Sequence, residues 1–110
     1  MYPCDNANMR VLHHPSRKNL DLTAVLHALS DPVRLLIVQR LVSEGAKPCG
    51  TFGLPVAKST ASHHFRVLRE SGIIRMQPEG TQYINSLRRD DLDACFPGLL
   101  ESILMAAGPV

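Results

Sequence analysis

Apolar residues recur at helical spacing in four stretches of this chain, and a hairpin pattern separates the third from the fourth. Leu22, Val25, Leu26 and Leu29 fall at i, i+3, i+4 and i+7, which predicts a helix over about 20–30. Ser30-Asp31-Pro32 then breaks and restarts the chain. The Asp31 carboxylate suits a helix cap and Pro32 suits a first turn, where no amide donor is needed. The second helix, about 32–44, is apolar over much of its circumference (Val33, Leu35, Leu36, Ile37, Val38, Leu41, Val42), so it should lie at the centre of the core. Residues 45–57 carry Gly45, Pro48, Gly50, Gly53 and Pro55 and support no more than a short turn of helix at 51–54. Ala61, Phe65 and Leu68 give a third stripe, over 59–71, and Gly72 stands where a C-cap belongs. Ile73, Ile74 and Met76 lead through the turn composition Pro78-Glu79-Gly80-Thr81 into Gln82–Leu87, a β-hairpin over 73–87. Leu92, Phe96, Leu99, Leu100, Ile103 and Leu104 mark a last helix at 91–105, which Pro97 should kink or restart. The fold class is mainly α with a small β-hairpin (α+β).

The polar positions give the third helix a second face. Of the 18 residues 58–75, four are Lys or Arg (Lys58, Arg66, Arg69, Arg75) and one, Glu70, is acidic. Ser59, Thr60, Ser62 and His63 add short hydroxyls and an imidazole. Such a face can reach phosphates and base edges in a major groove. Helix, glycine stop and strand is the order in which a recognition helix hands over to a wing. The net charge of the 110 residues is only +2, but residues 90–110 hold Asp90, Asp91, Asp93 and Glu101 with no Lys or Arg. One pole can therefore face a polyanion while the other faces away.

The length suits one domain, 19–110, preceded by an arm at 1–18 that lacks any period and is expected to be loose and flexible. A chain this short has a thin core, so the apolar stripes of the first and last helices suggest a dimer. No apolar run approaches the ~20 residues that span a bilayer. Cys4, Cys49 and Cys95 are odd in number, with no signal-peptide pattern before them, which favours a reducing cytoplasm. Cys95 falls beside the buried stripe. Nothing spaces acids and histidines into a catalytic pair, and no Gly-rich phosphate loop is present, so no enzyme and no cofactor are expected.

Ala28-Leu29-Ser30-Asp31-Pro32-Val33-Arg34, Ser59-Thr60-Ala61-Ser62-His63-His64-Phe65, Val67-Leu68-Arg69-Glu70-Ser71-Gly72-Ile73-Ile74 and the Glu79-Gly80 to Tyr83 hairpin together resemble the ArsR/SmtB family of small bacterial winged-helix repressors. The resemblance covers about residues 19–104. It implies a cytoplasmic, nucleoid-associated homodimer that binds double-stranded operator DNA of palindromic sequence, with the recognition helices roughly 34 Å apart in successive major grooves. Carried over by position, the DNA-facing set is Lys58, Ser59, Thr60, Ser62, His63 and Arg66, with Gly80, Thr81 and Gln82 at the wing tip. Arg69 and Arg75 join Lys58 and Arg66 near phosphates. His64 matches a family histidine that packs at the base of the helix. The dimer face implied on the first and last helices is Leu22, Leu26, Leu92, Phe96, Leu99, Leu100, Ile103 and Leu104.

The family's effector sites do not carry over. Where many relatives hold a Cys-x-Cys pair, this chain has only Cys49. Asp91-Leu92-Asp93 stands where others have Asp-x-His, and residues 94–110 contain no His, so no metal site is assigned. The effector is left unknown. Alternatives to an effector-released repressor are a thiol-based metalloid or redox sensor using Cys49, with Cys4 as a second ligand, a repressor with no inducer, and a winged-helix module that docks its basic helix on an acidic protein.

Overall fold

Asp31 divides the N-terminal half as its chemistry demands. The structure, a computed structural model, describes residues 10–109. The Asp31 carboxylate accepts from the amides of Val33 (2.8 Å) and Arg34 (3.2 Å), with Pro32 in the first turn, and so starts α2 (Pro32–Glu44). Burial is the largest single influence on this carboxyl and raises its pKa. The two amides, with His64 and Arg34, outweigh it and hold the group below the usual carboxylate range. The preceding helix, α1 (Leu22–Ala28), is capped by Asp21, which accepts from the Ala24 amide at 3.2 Å. It stops before residue 30 because the Ser30 hydroxyl turns back to the His27 carbonyl.

Beyond α2 come β1 (Lys47–Pro48), a 3₁₀ turn (Cys49–Thr51), α3 (Lys58–Glu70), β2 (Ile74–Glu79), β3 (Gln82–Leu87), α4 (Arg89–Cys95) and α5 (Leu99–Ala107). The strands form one antiparallel sheet in the order β1-β3-β2. Met76 and Lys47 both face Asn85, one from each side, and the hairpin closes at Glu79↔Gln82 with Gly80 at φ +64°. Asn85 is fully buried, and its amide donates to the Lys47 carbonyl (3.3 Å) and the Cys49 sulfur (3.2 Å), fastening β1 to the hairpin. The core gathers Val25 and Ala28 of α1, Ile37, Val38 and Leu41 of α2, Phe65 and Leu68 of α3, and Ile74, Met76 and Tyr83 of the hairpin. The expectation that α2 is central holds for its inward face, whereas Val42 is exposed.

Three elements differ from the sequence pattern, and the last helix settles a choice that Pro97 left open. The helical turn expected at 51–54 lies at Cys49–Thr51, and β1, which no period announced, precedes it. After that turn Phe52 drops into the core and meets Phe65 edge-on, ring centroids 5.1 Å apart, so the loop is pinned by a side chain rather than by backbone repeats. The last helix is two: Phe96-Pro97-Gly98 separates α4 from α5, with Gly98 at φ +81°. Of the arm expected at 1–18, residues 1–9 lie outside the described residues, and 10–18 are docked rather than loose. The Tyr83 hydroxyl donates to the Arg10 carbonyl (2.8 Å) and accepts from the Arg10 amide (3.3 Å). His14 Nε2 accepts from the Met76 amide (2.9 Å), and Arg88 donates to the Pro15 carbonyl (2.8 Å).

Candidate nucleic-acid interface

Successive residues on α3 turn by ~100°, so everything within about 60° of Phe65 must face inward. Through the body of the helix that arc contains Ala61, Leu68, Ser62 and Arg69; Lys58, about 20° from Phe65, escapes burial as the first residue. The structure buries Ser62 (1% exposed) and Arg69 (8% exposed), although the sequence reading set both on the outer face. The Ser62 hydroxyl and Arg69 Nε have no hydrogen-bond partner among the described residues, and the Arg69 guanidinium lies 3.5 Å from Glu70. Both are thereby corrected: they belong to the packed side of the helix and not to its exposed face. The outer face that remains is Ser59, Thr60, His63 and Arg66, all exposed; Lys58, exposed at the first residue of the helix, lies on the side of Ala61 and Phe65 instead.

The wing tip carries Gly80, Thr81 and Gln82, also exposed. Arg75 sits at the other end of the hairpin, half-buried on β2, with a guanidinium nitrogen 3.7 Å from Asp91. It is drawn toward that carboxylate together with Arg17 (2.7 Å) and Arg88 (2.9 Å). The hydrogen bonds from Arg17 and then Arg88 hold the Asp91 carboxyl below its ordinary pKa. Asp91 is an anchor for arginines in the first turn of α4. Among the described residues no three His, Cys, Asp or Glu side chains converge as metal ligands.

The inner side of α3 is tied to the first helices by two residues, one of which the sequence reading passed over. His64 is buried, and its Nδ1 lies 3.2 Å from an Arg34 nitrogen and 4.0 Å from Asp31. Burial lowers the His64 pKa, Asp31 opposes that, and Arg34 adds to it. A neutral ring with Nδ1 as acceptor fits the Arg34 donor. Arg34 is itself buried, and its other nitrogens donate to the Ala28 (2.7 Å) and His27 (3.3 Å) carbonyls, closing the C-terminal end of α1. The signal for Arg34 was present in its spacing: it falls three residues before Ile37, on the inward face of α2, where an arginine must find acceptors.

The apolar set assigned to a dimer face divides. Leu92 and Leu100 are buried in the protomer's own core (4% and 3% exposed) and are corrected to that role. Leu22 and Leu26 on α1 are each 43% exposed, and Phe96, Leu99, Ile103 and Leu104 are half-buried. Cys95 is half-buried beside them and donates to the Arg17 carbonyl. No single helix among the described residues is long and apolar enough to cross a membrane.

Comparison with known proteins bears on this geometry. The Helix-turn-helix domain model matches residues 29–77, from the end of α1 to the hairpin. The uncharacterized HTH-type transcriptional regulator YceK of Bacillus subtilis is 39% identical over 83 residues, covering 72% of this chain and 82% of that protein. The crystal structure of the transcriptional repressor BigR from Xylella fastidiosa is 31% identical, with a TM-score of 0.56 over 68% of this chain and 85% of that one. An ArsR family transcriptional regulator of known crystal structure superposes with a TM-score of 0.60 over 79% of this chain and 97% of its own; at 22% identity that likeness is one of fold. A regulator's helix-turn-helix, a third helix with an open polar face and the hairpin behind it thus converge, and the chain belongs to the helix-turn-helix transcriptional regulators, in a fold that an ArsR family regulator shares.

Proposed function

We propose that this chain is a repressor that binds a palindromic DNA operator as a homodimer and is released by an effector. The observation that carries the reading is the outer face of α3. Ser59, Thr60, His63 and Arg66 stand exposed on a helix whose opposite side is locked to the core, with Lys58 exposed at its first residue. Ser59, Thr60 and His63 are assigned to base edges, and Lys58 and Arg66 to phosphates, with Gly80, Thr81 and Gln82 against the flanking backbone. Repression, rather than activation, is proposed because the relative BigR bears that name. A bacterial cytoplasm, at the nucleoid, follows from the same reading.

The dimer is proposed on Leu22, Leu26, Phe96, Leu99, Ile103 and Leu104, because two leucines of α1 that a soluble monomer would hide are nearly half exposed. Two-fold symmetry then sets the half-site spacing. The effector is unidentified. A thiol-based metalloid or redox sensor is the second reading, supported by the hydrogen bond from Asn85 of β3 to the Cys49 sulfur, which would report chemistry at that sulfur to the wing. The partner proposed for it from the sequence, Cys4, lies outside the described residues.

Fluorescence anisotropy on the duplex upstream of its own gene, with a scrambled duplex as control, tests the main reading. Arg66→Ala should weaken binding by at least ~1 kcal/mol, about fivefold. Unchanged affinity would remove α3 from the interface. Sedimentation should give a dimer that Leu26→Glu dissociates. Cys49 is disulfide-bonded, so the test of the thiol reading starts from reduced protein: release from DNA by trivalent arsenic or diamide in the wild type but not in Cys49→Ser would select it.

A further inference from the structure

From Pro15 back to Arg10 the segment climbs the hairpin from its base toward its tip. Pro15 is held by Arg88, beyond the end of β3; His14 is held at Met76, midway along β2. Arg10 is held by Tyr83, one residue past the Glu79↔Gln82 pair that closes the wing. The segment therefore points at the end of the molecule that carries the recognition face, and it arrives between wing and helix. There Arg10 and His13 form one wall of an open groove of about 820 Å³, and Ser59, Thr60, His63 and Arg66 of α3 form the other. Val11, Leu12, Ser62, Arg69 and Glu70 complete the lining, and Glu70 is the one carboxylate in it, 3.5 Å from Arg69.

We propose that this groove is a seat for the sugar–phosphate backbone of one operator strand, and that Arg10 and His13 are DNA-contacting residues that make the arm a third element beside helix and wing. The inference rests on the DNA-binding reading of α3 and extends it. Three arguments carry it. Apart from Glu70, the polar groups on both walls are cationic or hydrogen-bond donors, which suits a polyanion and not a cationic partner, while Val11 (85% exposed) and Leu12 supply the apolar part of the arm wall. The wall contributed by the arm is held through backbone atoms of Arg10, leaving its guanidinium exposed and uncommitted to the fold. The docking depends on specific fittings elsewhere: Gly72, at φ +87°, leaves the space that Leu20 and Pro15 fill, and a Cβ there would overlap Leu20 Cδ2. Phosphate contacts position a protein on the duplex without reading bases, so the arm's contribution should be independent of sequence.

The test uses the full chain and anisotropy titrations over a range of salt, on the duplex upstream of its own gene and on a scrambled duplex. The double variant Arg10→Ala/His13→Ala keeps the backbone bonds to Tyr83 and should fold as the wild type does, which circular dichroism checks. It should bind both duplexes about five- to tenfold more weakly, with the slope of log affinity against log salt reduced by about 1, and with the ratio between duplexes unchanged. Tyr83→Phe, which keeps both side chains but removes the hydroxyl that fixes Arg10, should lose part of the same affinity. An unchanged affinity and salt slope in the double variant, where Arg66→Ala weakens binding, would overturn the arm's role and leave the helix's role standing. Tighter binding by the double variant would overturn it as well, making the arm an obstruction. A wild type that binds no duplex at low salt would remove both readings together.

Discussion

Two irregular segments flank the recognition helix, and they are fastened by opposite means. The arm from Arg10 to Pro15 is placed mainly by polar bonds, Tyr83 to Arg10, Met76 to His14 and Arg88 to Pro15, before Leu20 packs on the core. The loop before α3 is held by Phe52, which is 1% exposed against Phe65 and carries Lys47 4.8 Å above its outer face. The difference separates two jobs. Apolar burial is non-directional and contributes to the stability of the whole domain, so losing it is felt everywhere. Hydrogen bonds fix direction and place the arm, and their net contribution to stability is about 1 kcal/mol each. A loop that sets the start of the reading helix is thus part of the core, whereas an arm that lies on the reading surface can be altered without melting it.

The largest expected effect lies on the loop side. Phe52→Ala should destabilise the domain by about 3–5 kcal/mol in urea or thermal unfolding, because it leaves a cavity against Phe65 that the proline- and glycine-rich loop cannot fill by repacking. A loss under 1 kcal/mol would show that the loop is not part of the core. Gly72→Ala comes next, at about 2–3 kcal/mol, combining a left-handed backbone with the clash against Leu20. A double substitution with Leu20→Ala should recover part of that loss, since the added methyl then has room.

The smallest effect should distinguish the arm by pH. His14 Nε2 accepts from Met76 while Nδ1 faces the Leu12 carbonyl at 2.9 Å, an arrangement only the neutral ring can make. Burial lowers its pKa below 6.5; the Leu12 carbonyl opposes this, and Arg69, Arg88 and Arg75 reinforce it. The folded state thus binds this proton less tightly than the unfolded chain. The contribution is complete above the unfolded value near 6.5 and is lost as pH falls below it. His64 shifts in the same direction. His14→Gln can keep both bonds without titrating, so its stability should fall less between pH 7 and pH 5 than the wild type's, the remaining slope belonging to His64. An identical slope in the variant would mean that protonation at His14 does not disturb the arm.

Much of this architecture was legible in the chain. The stripes of α1, α2 and α3, the Asp31 cap, the hairpin and the break at Pro97 follow from local periodicity and from residues whose backbone demands are narrow. The two flanking segments were not legible, because their order comes from contacts remote in sequence, Arg10 with Tyr83 and Phe52 with Phe65. Proline and glycine remove the periodic signal where such contacts take over. Within the site, Ser62 and Arg69 were misplaced by counting every polar residue of α3 as outward; their angles from Phe65 already placed them inside. Leu92 and Leu100 were likewise assigned to a partner because a stripe says that a face is covered, not by what.

Arg34 makes a mechanical element out of three helices. One planar group stops α1, springs from α2 and grips His64 on α3, so the end of the first helix and the reading helix are braced as a strut braces two beams. In the proposed dimer, where α1 carries the exposed leucines, each reading head would be bolted to the joint rather than hinged from it. Such a pair works as calipers with stiff jaws. The gap between the jaws is set at the pivot alone, and a turn of a few degrees there is magnified along the lever into a misfit with the helical pitch of DNA.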